Sequence, residues 1–331
     1  RGGALDSLHQ AAALGIEVDD QEWAEACQRA GIERPPDLLQ RVMSQGLAFR
    51  RQGGWAFAHG MFRESLETQS RAMETWYDRH RACAAMLQPR QARVPGLAVR
   101  VAYHLEQAKE LASALSPLSQ AVEELWKGGS VTGARLPLER RRALLEQLNR
   151  PHSDIAWGEQ SHLQIQQDQY EGRYDSALKW SAFAMQGIKK YGWNQLLPGI
   201  LKETGVVHYK KGDMELATRF IRHARAHATQ LDDDRLTAEC TDKLGMMLRI
   251  TGELDLADQC FRAASTLYRR LRDYRPADEG AAVVGRALVA QQRGDITAAE
   301  GWFRKGVEVL KGSGHQRGLA TSVNGLAEVA R

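Results

Sequence analysis

The chain has 331 residues, of which 43% are hydrophobic, so it can bury a core and can form two domains or one elongated array. Its 45 basic and 41 acidic residues nearly cancel, which argues against a nucleic-acid-binding surface, and no apolar run approaches the roughly 18 residues of a membrane-spanning helix. The four cysteines stand far apart without a Cys-x-x-Cys pair. We therefore expect a cytoplasmic protein with no membrane partner and no metal site.

Residues 1–90 predict three short helices followed by a β-hairpin. The helices are "LDSLHQAAALG", "DDQEWAEACQRAG" and "DLLQRVMSQGL", each ending at or near a glycine. The segment "LAFRRQGGWAFAH" alternates around Gln52-Gly53-Gly54, as a hairpin requires. Three helices and a hairpin indicate a winged-helix domain, and one long connecting helix is expected from about Gly60 to Leu87.

His59 is a candidate site residue because it lies where this hairpin meets the long helix, in "AHGMFRE". From the residues alone, His59 either caps or packs at the start of the helix or contacts a ligand. Arg63, one turn later, either adds a phosphate contact or pairs with Glu67 on the helix surface, and the surface pair is favoured. His80 and Cys83 in "DRHRACAAML" suggest a thiol–imidazole pair, but packing between helices is preferred because no third catalytic group follows.

Residues 91–153 predict irregular helical hairpins. The segment "LAVRVAYHLEQAKELASALSPLSQAVEELW" has apolar residues at three- and four-residue spacing, and a break is expected near Pro117. "KGGSVTGARLP" then predicts a loop and "LERRRALLEQL" a further helix. The loop lacks the Gly-Lys-Ser/Thr ending of a phosphate-binding loop, so we expect no nucleotide there.

Residues 154–331 contain a repeat of about 40 residues. The segments "YEGRYDSALKWSAFAM", "YKKGDMELATRFIRHA", "RITGELDLADQCFRAA" and "QQRGDITAAEGWFRKG" align with their glycines and alanines in phase. Each unit predicts a first helix, a glycine turn and a second helix that carries a large residue: Phe220 or Ile221, Phe261 and Phe303. Ser181 departs from this pattern. The repeats resemble the long-period tetratricopeptide family, which implies an α-solenoid, and "SVNGLAEVAR" resembles the first helix of a truncated fifth unit.

The first helices of the repeats supply the candidate partner-binding groove. Residues facing its concave side are aromatic, apolar or of either charge sign, a mixture that suits a protein, peptide or small effector. The alternative is that many of them only pack against the next hairpin. The predicted groove residues are His162, Gln166, Gln169, Tyr170, Lys202, Tyr209, Lys210, Asp242, Met246 and Arg249.

The whole arrangement resembles the carboxy-terminal part of a bacterial STAND NTPase, a signal-transduction ATPase in which a protein kinase domain often precedes the ATPase module. The resemblance rests on the order of the winged helix, "FAHGMFRES", "DRHRACAAML", "YHLEQA" and the long-period repeats. It implies an upstream nucleotide-binding domain that holds ATP or ADP, and a nucleotide-sensing role for His59. Gly60 departs from the family, in which an acidic residue commonly follows that histidine. The chain itself is expected to be non-catalytic and without a cofactor.

A second hypothesis is a winged-helix DNA-binding transcription regulator of the maltose-activator type, with repeats that bind an inducer. Its recognition helix should be basic, yet "PDLLQRVMSQGL" offers only Arg41. Binding to nucleic acid is therefore the less favoured interpretation.

Overall fold

A computed structural model describes residues 2–313 and 316–330. The described residues are mainly α-helical, as predicted, and the chain divides into two compact units, residues 1–151 and residues 152–331. Each unit contains its own cluster of buried apolar side chains. A further domain boundary at residue 90 stays a prediction. No helix within the described ranges is long and apolar enough to cross a membrane.

The first unit begins with three helices and a small antiparallel sheet. These elements are α1 (Gly2–Leu14), β1 (Glu17–Asp19), α2 (Asp20–Arg29), α3 (Leu38–Ser44), β2 (Ala48–Arg51) and β3 (Gly54–Phe57). The sheet order is β1-β3-β2. The predicted helices and hairpin are present, whereas β1 lies outside the prediction because three residues are too few to show an alternating pattern.

Aromatic side chains fill the interior of this part of the chain. Trp55 packs edge-to-face against Trp23 and Phe57, with ring centroids 5.2 Å and 4.8 Å apart. Gly54 allows β1 to approach β3 closely, because a Cβ at this position would lie 2.1 Å from the carbonyl oxygen of Val18. The sheet therefore holds the hairpin firmly up to the residue before His59.

The predicted long helix is two helices, so the expectation of one helix from Gly60 to Leu87 is wrong. They are α4 (Gly60–Ala72) and α5 (Trp76–Gln91). Between them Glu74 adopts a left-handed conformation with φ 57°. The break lets the buried guanidinium of Arg79 donate to Ser70 Oγ at 3.1 Å and to Asp6 Oδ1 at 2.7 Å. Tertiary hydrogen bonds thus outweigh the continuous helical pattern.

The next three helices are α6 (Leu97–Gln107), α7 (Leu111–Lys127) and α8 (Arg135–Gln147). The break expected near Pro117 is wrong, because Pro117 lies buried inside α7. The chain turns instead at Lys109, which has φ 59°. An internal proline costs a helix about 3 kcal/mol. In α7, burial of apolar neighbours such as Leu118 and Val122 offsets that cost.

The second unit consists of four helical hairpins and one further helix, which confirms the predicted solenoid of tetratricopeptide type. The hairpins are α9 (Ile155–Tyr170) with α10 (Tyr174–Tyr191), α11 (Leu197–Lys210) with α12 (Met214–Gln230), α13 (Asp234–Ile250) with α14 (Leu254–Arg270), and α15 (Pro276–Gln292) with α16 (Ile296–Leu310); α17 (Gln316–Val329) follows. The repeated glycines all have positive φ, between 76° and 88°, which ends each first helix: Gly172, Gly212, Gly252 and Gly294.

Large side chains of the second helices lie against glycines of the first helices. Phe261 contacts both Gly245 and Gly285, where an added Cβ would lie 3.0 Å and 2.4 Å from its ring. Ile221 is fully buried against Gly205, so Ile221 rather than Phe220 takes this position in its hairpin.

Ser181, which departs from the pattern of large residues, is also buried. It exchanges a 2.6 Å hydrogen bond with Thr204 of the next hairpin. A polar contact therefore replaces an apolar one at this interface.

Candidate functional site

The predicted groove residues occupy matching positions on α9, α11 and α13. His162, Lys202 and Asp242 are 40 residues apart in sequence and equivalent in the repeat, and the remaining members recur one and two helical turns later. The structure therefore brings all ten to the first helices of three successive hairpins. Their exposure differs, and this separates residues that join the hairpins from residues that reach solvent.

A polar network joins these first helices to one another. Lys202 Nζ lies 2.6 Å from Glu239 Oε2 on α13 and 3.1 Å from Glu203 Oε1 on its own helix. Gln169 Nε2 on α9 donates to Glu203 Oε2 at 3.3 Å. The ammonium group of Lys202 is thus held between two carboxylates, and its side chain is only 15% exposed.

The charges of this network reinforce one another despite their burial. Burial opposes the charged form of Lys202, but the carboxylates of Glu203 and Glu239 outweigh it and raise the pKa of Lys202 well above its usual value. Burial likewise opposes ionisation of Glu239. The nearby ammonium group of Lys202 outweighs this effect of burial, so the pKa of Glu239 is lowered. Both groups are charged at neutral pH, so the network is an ion pair between neighbouring hairpins.

His162 is a packing residue of the same face. Its imidazole fits against Gly199 on α11, where an added Cβ would lie 2.9 Å from the His162 Cε1 atom. Gln166 Nε2 lies 3.0 Å from His162 Nε2. Burial lowers the pKa of His162, so the ring is neutral at neutral pH and accepts a hydrogen bond from the Gln166 amide.

Three other predicted residues are buried or partly buried, and two of them, Met246 and Arg249, contact other helices. Asp242 is 6% exposed and lies 3.5 Å from the ammonium nitrogen of Lys243. Met246 packs against the buried core of the hairpins. Arg249 donates to the side-chain oxygen of Gln292 on α15 at 3.3 Å. These contacts match the alternative in which part of the predicted groove stabilises the stack of hairpins.

Tyr170 and Lys210 are the predicted residues that extend into solvent. Tyr170 is 54% exposed, and Lys210 is exposed beside Tyr209, with its ammonium nitrogen 5.9 Å from the tyrosine ring centroid. Both stand at the last turn of a first helix, next to the glycine turn. An aromatic ring and a lysine at this edge can bind a ligand without breaking the ion pair at Lys202.

His59 lies exposed at the amino-terminal cap of α4, between β3 and that helix. Its backbone is extended, with φ −134° and ψ 131°, and its side chain makes no cap hydrogen bond. Arg63 pairs with Glu67 and donates to the carbonyl oxygen of Ala12 at 3.0 Å, so the favoured surface pair is observed. The imidazole of His59 is therefore open to an external contact at this junction.

His80 and Cys83 do not form a thiol–imidazole pair. His80 Nδ1 lies 2.8 Å from His104 Nδ1 on α6, and both rings are buried. Cys83 instead accepts a hydrogen bond from Gln10 Nε2 at 3.1 Å, and burial raises the pKa of its thiol to about 12. The pair of histidines is 24 residues apart in sequence, which gives no local signal for it.

Side chains that could bind a metal ion are predicted to be ungrouped in this chain. Among residues 2–313 and 316–330, no group of three or more His, Cys, Asp or Glu side chains is arranged to hold a metal ion. His223 and His227 share one side of α12, and no third side chain of these types is grouped with them in the same part of the chain.

Solved structures of repeat proteins resemble this fold, whereas no family model and no curated protein sequence matches the chain. BtubC (BKLC) from P. vanneervenii has a TM-score of 0.50 at 18% identity, over 67% of this chain and 90% of that chain. A Signal Transduction ATPase with Numerous Domains (STAND) protein with a tetratricopeptide repeat sensor, from Pyrococcus horikoshii, has a TM-score of 0.50 at 13% identity. That match covers 99% of this chain and 60% of that chain, so this chain spans less than two thirds of the STAND protein.

The Rap protein complexed with competence and sporulation factor overlaps less well, with a TM-score of 0.49 at 12% identity over 98% of this chain and 95% of that chain. At such identities the likeness concerns the fold alone. The structures of BtubC and of the STAND protein thus share with this chain an α-helical repeat fold.

Proposed function

We propose that this chain is the non-catalytic sensor region of a cytoplasmic STAND-type signal-transduction ATPase. In this proposal the second unit binds a protein, peptide or small effector, and the first ninety residues couple that event to an upstream nucleotide-binding domain. The observation that carries the proposal is the first-helix face, where exposed Tyr170 and Lys210 border the fixed ion pair of Lys202 and Glu239. The overlap with the STAND protein along 99% of this chain supports the same assignment.

The order of elements in the first ninety residues supports a winged-helix domain. Three helices and three short strands follow one another in the order α1-β1-α2-α3-β2-β3, and β3 of the hairpin pairs with β1 to form one antiparallel sheet. In the proposal this domain closes over the nucleotide of the upstream domain. Effector binding in the second unit favours the open arrangement and so permits nucleotide exchange.

His59 is the residue we propose for contact with the bound nucleotide. Its exposed imidazole at the start of α4 can donate a hydrogen bond to a diphosphate held by the upstream domain. In the protein that includes this domain, His59→Ala is expected to speed ADP release roughly tenfold, because a charge-assisted hydrogen bond contributes about 1.4 kcal/mol. Fluorescent ADP displacement measures the rate.

His223→Ala is the matched control, since it removes an exposed histidine from α12 in the second unit. This variant is expected to release ADP at the unaltered rate. Equal release rates for His59→Ala and the parent protein would rule out the proposed contact.

The effector face can be tested without knowledge of the natural ligand. Peptides selected from a random display library on the intact chain are expected to lose about tenfold in affinity when Tyr170 and Lys210 are both replaced by alanine. The control replaces the exposed residues Lys189 and Tyr191 at the end of α10. Selected peptides that bind both double variants equally well would place the binding surface elsewhere.

The DNA-binding regulator is the weaker alternative. Arg41, the single basic residue of α3, lies 3.3 Å from Asp37, and Arg50 on the hairpin lies 2.6 Å from Asp20. Neighbouring carboxylates thus offset the positive charge that would have to meet phosphates. A mobility shift with generic duplex DNA tests this alternative, because phosphate-dominated binding must weaken steeply as salt rises.

A further inference from the structure

The second helix α12 carries three arginines without a carboxylate partner among the described residues, whereas most other arginines of the second unit have one. Arg219, Arg222 and Arg225 are three residues apart, so they lie along one side of the helix. Within the described part of the chain, none of them forms an ion pair. By contrast, Arg235, Arg269, Arg286 and Arg293 each pair with a carboxylate.

Two of these arginines line a cleft of about 610 Å³ beside the turn between α13 and α14. Arg219 and Arg222 stand there with Thr218 and His223 of the same helix. Thr251 adds a hydroxyl group from the facing turn. Guanidinium, imidazole and hydroxyl groups around one opening are hydrogen-bond donors that suit carboxylates.

We propose that this α12 cleft docks an acidic polypeptide segment of a partner protein, with Arg219 and Arg222 each binding one carboxylate. The two guanidinium groups identify the occupant, because neither has a carboxylate partner within the described residues. The cleft is on a second helix, so it differs from the first-helix face of the proposed sensor function.

The dimensions of the cleft favour a peptide over a nucleic acid. Three residues of helix separate Arg219 from Arg222, a length of about 4.5 Å, which two or three residues of an extended peptide can follow. Glu215 and Glu253 also line the cleft and add negative charge to it. A continuous phosphate backbone would meet these carboxylates, whereas a short acidic segment can avoid them.

The experiment titrates the intact chain against a fluorescein-labelled peptide whose only charged side chains are two glutamates separated by one serine, and follows anisotropy at low salt. The double variant Arg219→Gln/Arg222→Gln is expected to bind at least tenfold more weakly. Arg219→Lys/Arg222→Lys keeps the charge but loses the planar guanidinium groups. Its affinity for the peptide is expected to lie between those of the parent chain and of the glutamine variant. Circular dichroism confirms that each variant is folded.

The matched control is Lys189→Gln/Arg270→Gln, which removes two exposed charges from other second helices. It should change the affinity by less than about twofold, since those residues lie outside the cleft. Equal weakening in both double variants would overturn the proposal, as would the absence of peptide binding to the parent chain. Displacement of the peptide by single-stranded DNA at lower concentration would overturn the choice of an acidic polypeptide.

Discussion

Lys202 Nζ lies 2.6 Å from Glu239 Oε2, and this ion pair joins the first helices of two successive hairpins. The exposed fractions of the two side chains are 15% and 30%, so water screens the pair only in part. A residue predicted as part of a binding groove is thus also a structural link in the stack. The same contact explains why Lys202 has little freedom to meet a ligand.

Lys202→Met is expected to destabilise the repeats by about 2 kcal/mol, because it leaves the carboxylates of Glu203 and Glu239 without their cation. Adding Glu239→Gln should restore about 1 kcal/mol of this loss. Hydrogen–deuterium exchange in α11 and α13 measures the change in opening free energy. Lys210→Met, at an exposed lysine, is the control and should cost less than about 0.5 kcal/mol. If the losses of stability caused by Lys202→Met and Glu239→Gln simply add in the double variant, the ion pair does not stabilise the repeats.

The buried His80–His104 pair predicts acid sensitivity of the first unit. Burial lowers the pKa of both histidines below the usual 6.5, with the neighbouring His104 a further cause for His80. The unfolded chain then binds protons that the folded chain excludes, so stability is complete above pH 6.5 and falls as the pH drops below it. With two such groups, the free energy of unfolding of the first unit changes by up to about 2.7 kcal/mol per pH unit, and this is the slope to be measured.

His104→Asn should reduce that slope by up to about 1.4 kcal/mol per pH unit, since it removes one of the two groups. Exchange rates of the α5 and α6 amides between pH 7.5 and 5, corrected for intrinsic exchange, provide the measurement. The exposed His223 in the second unit supplies the control His223→Asn, which should leave the slope unchanged. A slope that is the same in the His104 variant as in the parent chain would refute the assignment.

Gly285→Ala is expected to destabilise the second unit by about 2 kcal/mol, because the added Cβ would lie 2.4 Å from the Phe261 ring. Gly301→Ala provides the opposite case, since no atom lies within 4 Å of the added Cβ on the exposed side of α16. There the gain in helix propensity should stabilise by up to about 1 kcal/mol. Urea unfolding followed by circular dichroism compares the two variants. Similar losses in both would show that the contact with Phe261 is not decisive.

Lys109→Gly should stabilise the turn between α6 and α7 by about 1 kcal/mol. Lys109 has φ 59°, a conformation that is unfavourable for residues with a Cβ and neutral for glycine. Lys127→Gly tests the opposite situation at the last residue of α7, where the backbone is helical and glycine should bring no gain in stability. Thermal unfolding of both variants provides the comparison, and a loss of stability in Lys109→Gly would contradict this account of the turn.

The repeats could be predicted from sequence because glycine and alanine recur in phase wherever a helix must end or two helices must approach closely. The turns at Glu74 and Lys109 could not, since each places an ordinary side chain in a conformation that glycine usually takes. Pro117 led to the opposite error, because tertiary burial sustains a helix through a residue that locally opposes it. Local signals were thus reliable where the chain uses the common residue for each conformation.

The candidate site could be predicted in position but not in its contacts. Periodicity places Lys202 on the first-helix face, yet its partner Glu239 is 37 residues away and belongs to another helix. The pairing of His80 with His104 likewise depends on how α5 packs against α6. Sequence spacing indicates which side chains share a face, whereas the packing of helices decides which of them meet.

The seating of aromatic rings on glycines decides which hairpins can follow one another. Phe261 rests on Gly245 and Gly285, and Phe303 rests on Gly325, so two successive junctions each receive a phenylalanine ring. Removing the hairpin α15–α16 would therefore bring Phe261 to a glycine that already accommodates a ring of the same size. Removing the hairpin α9–α10 would instead take away Gly158 and Gly187, the two glycines beneath the indole of Trp193. The stack can thus be shortened at some junctions and not at others.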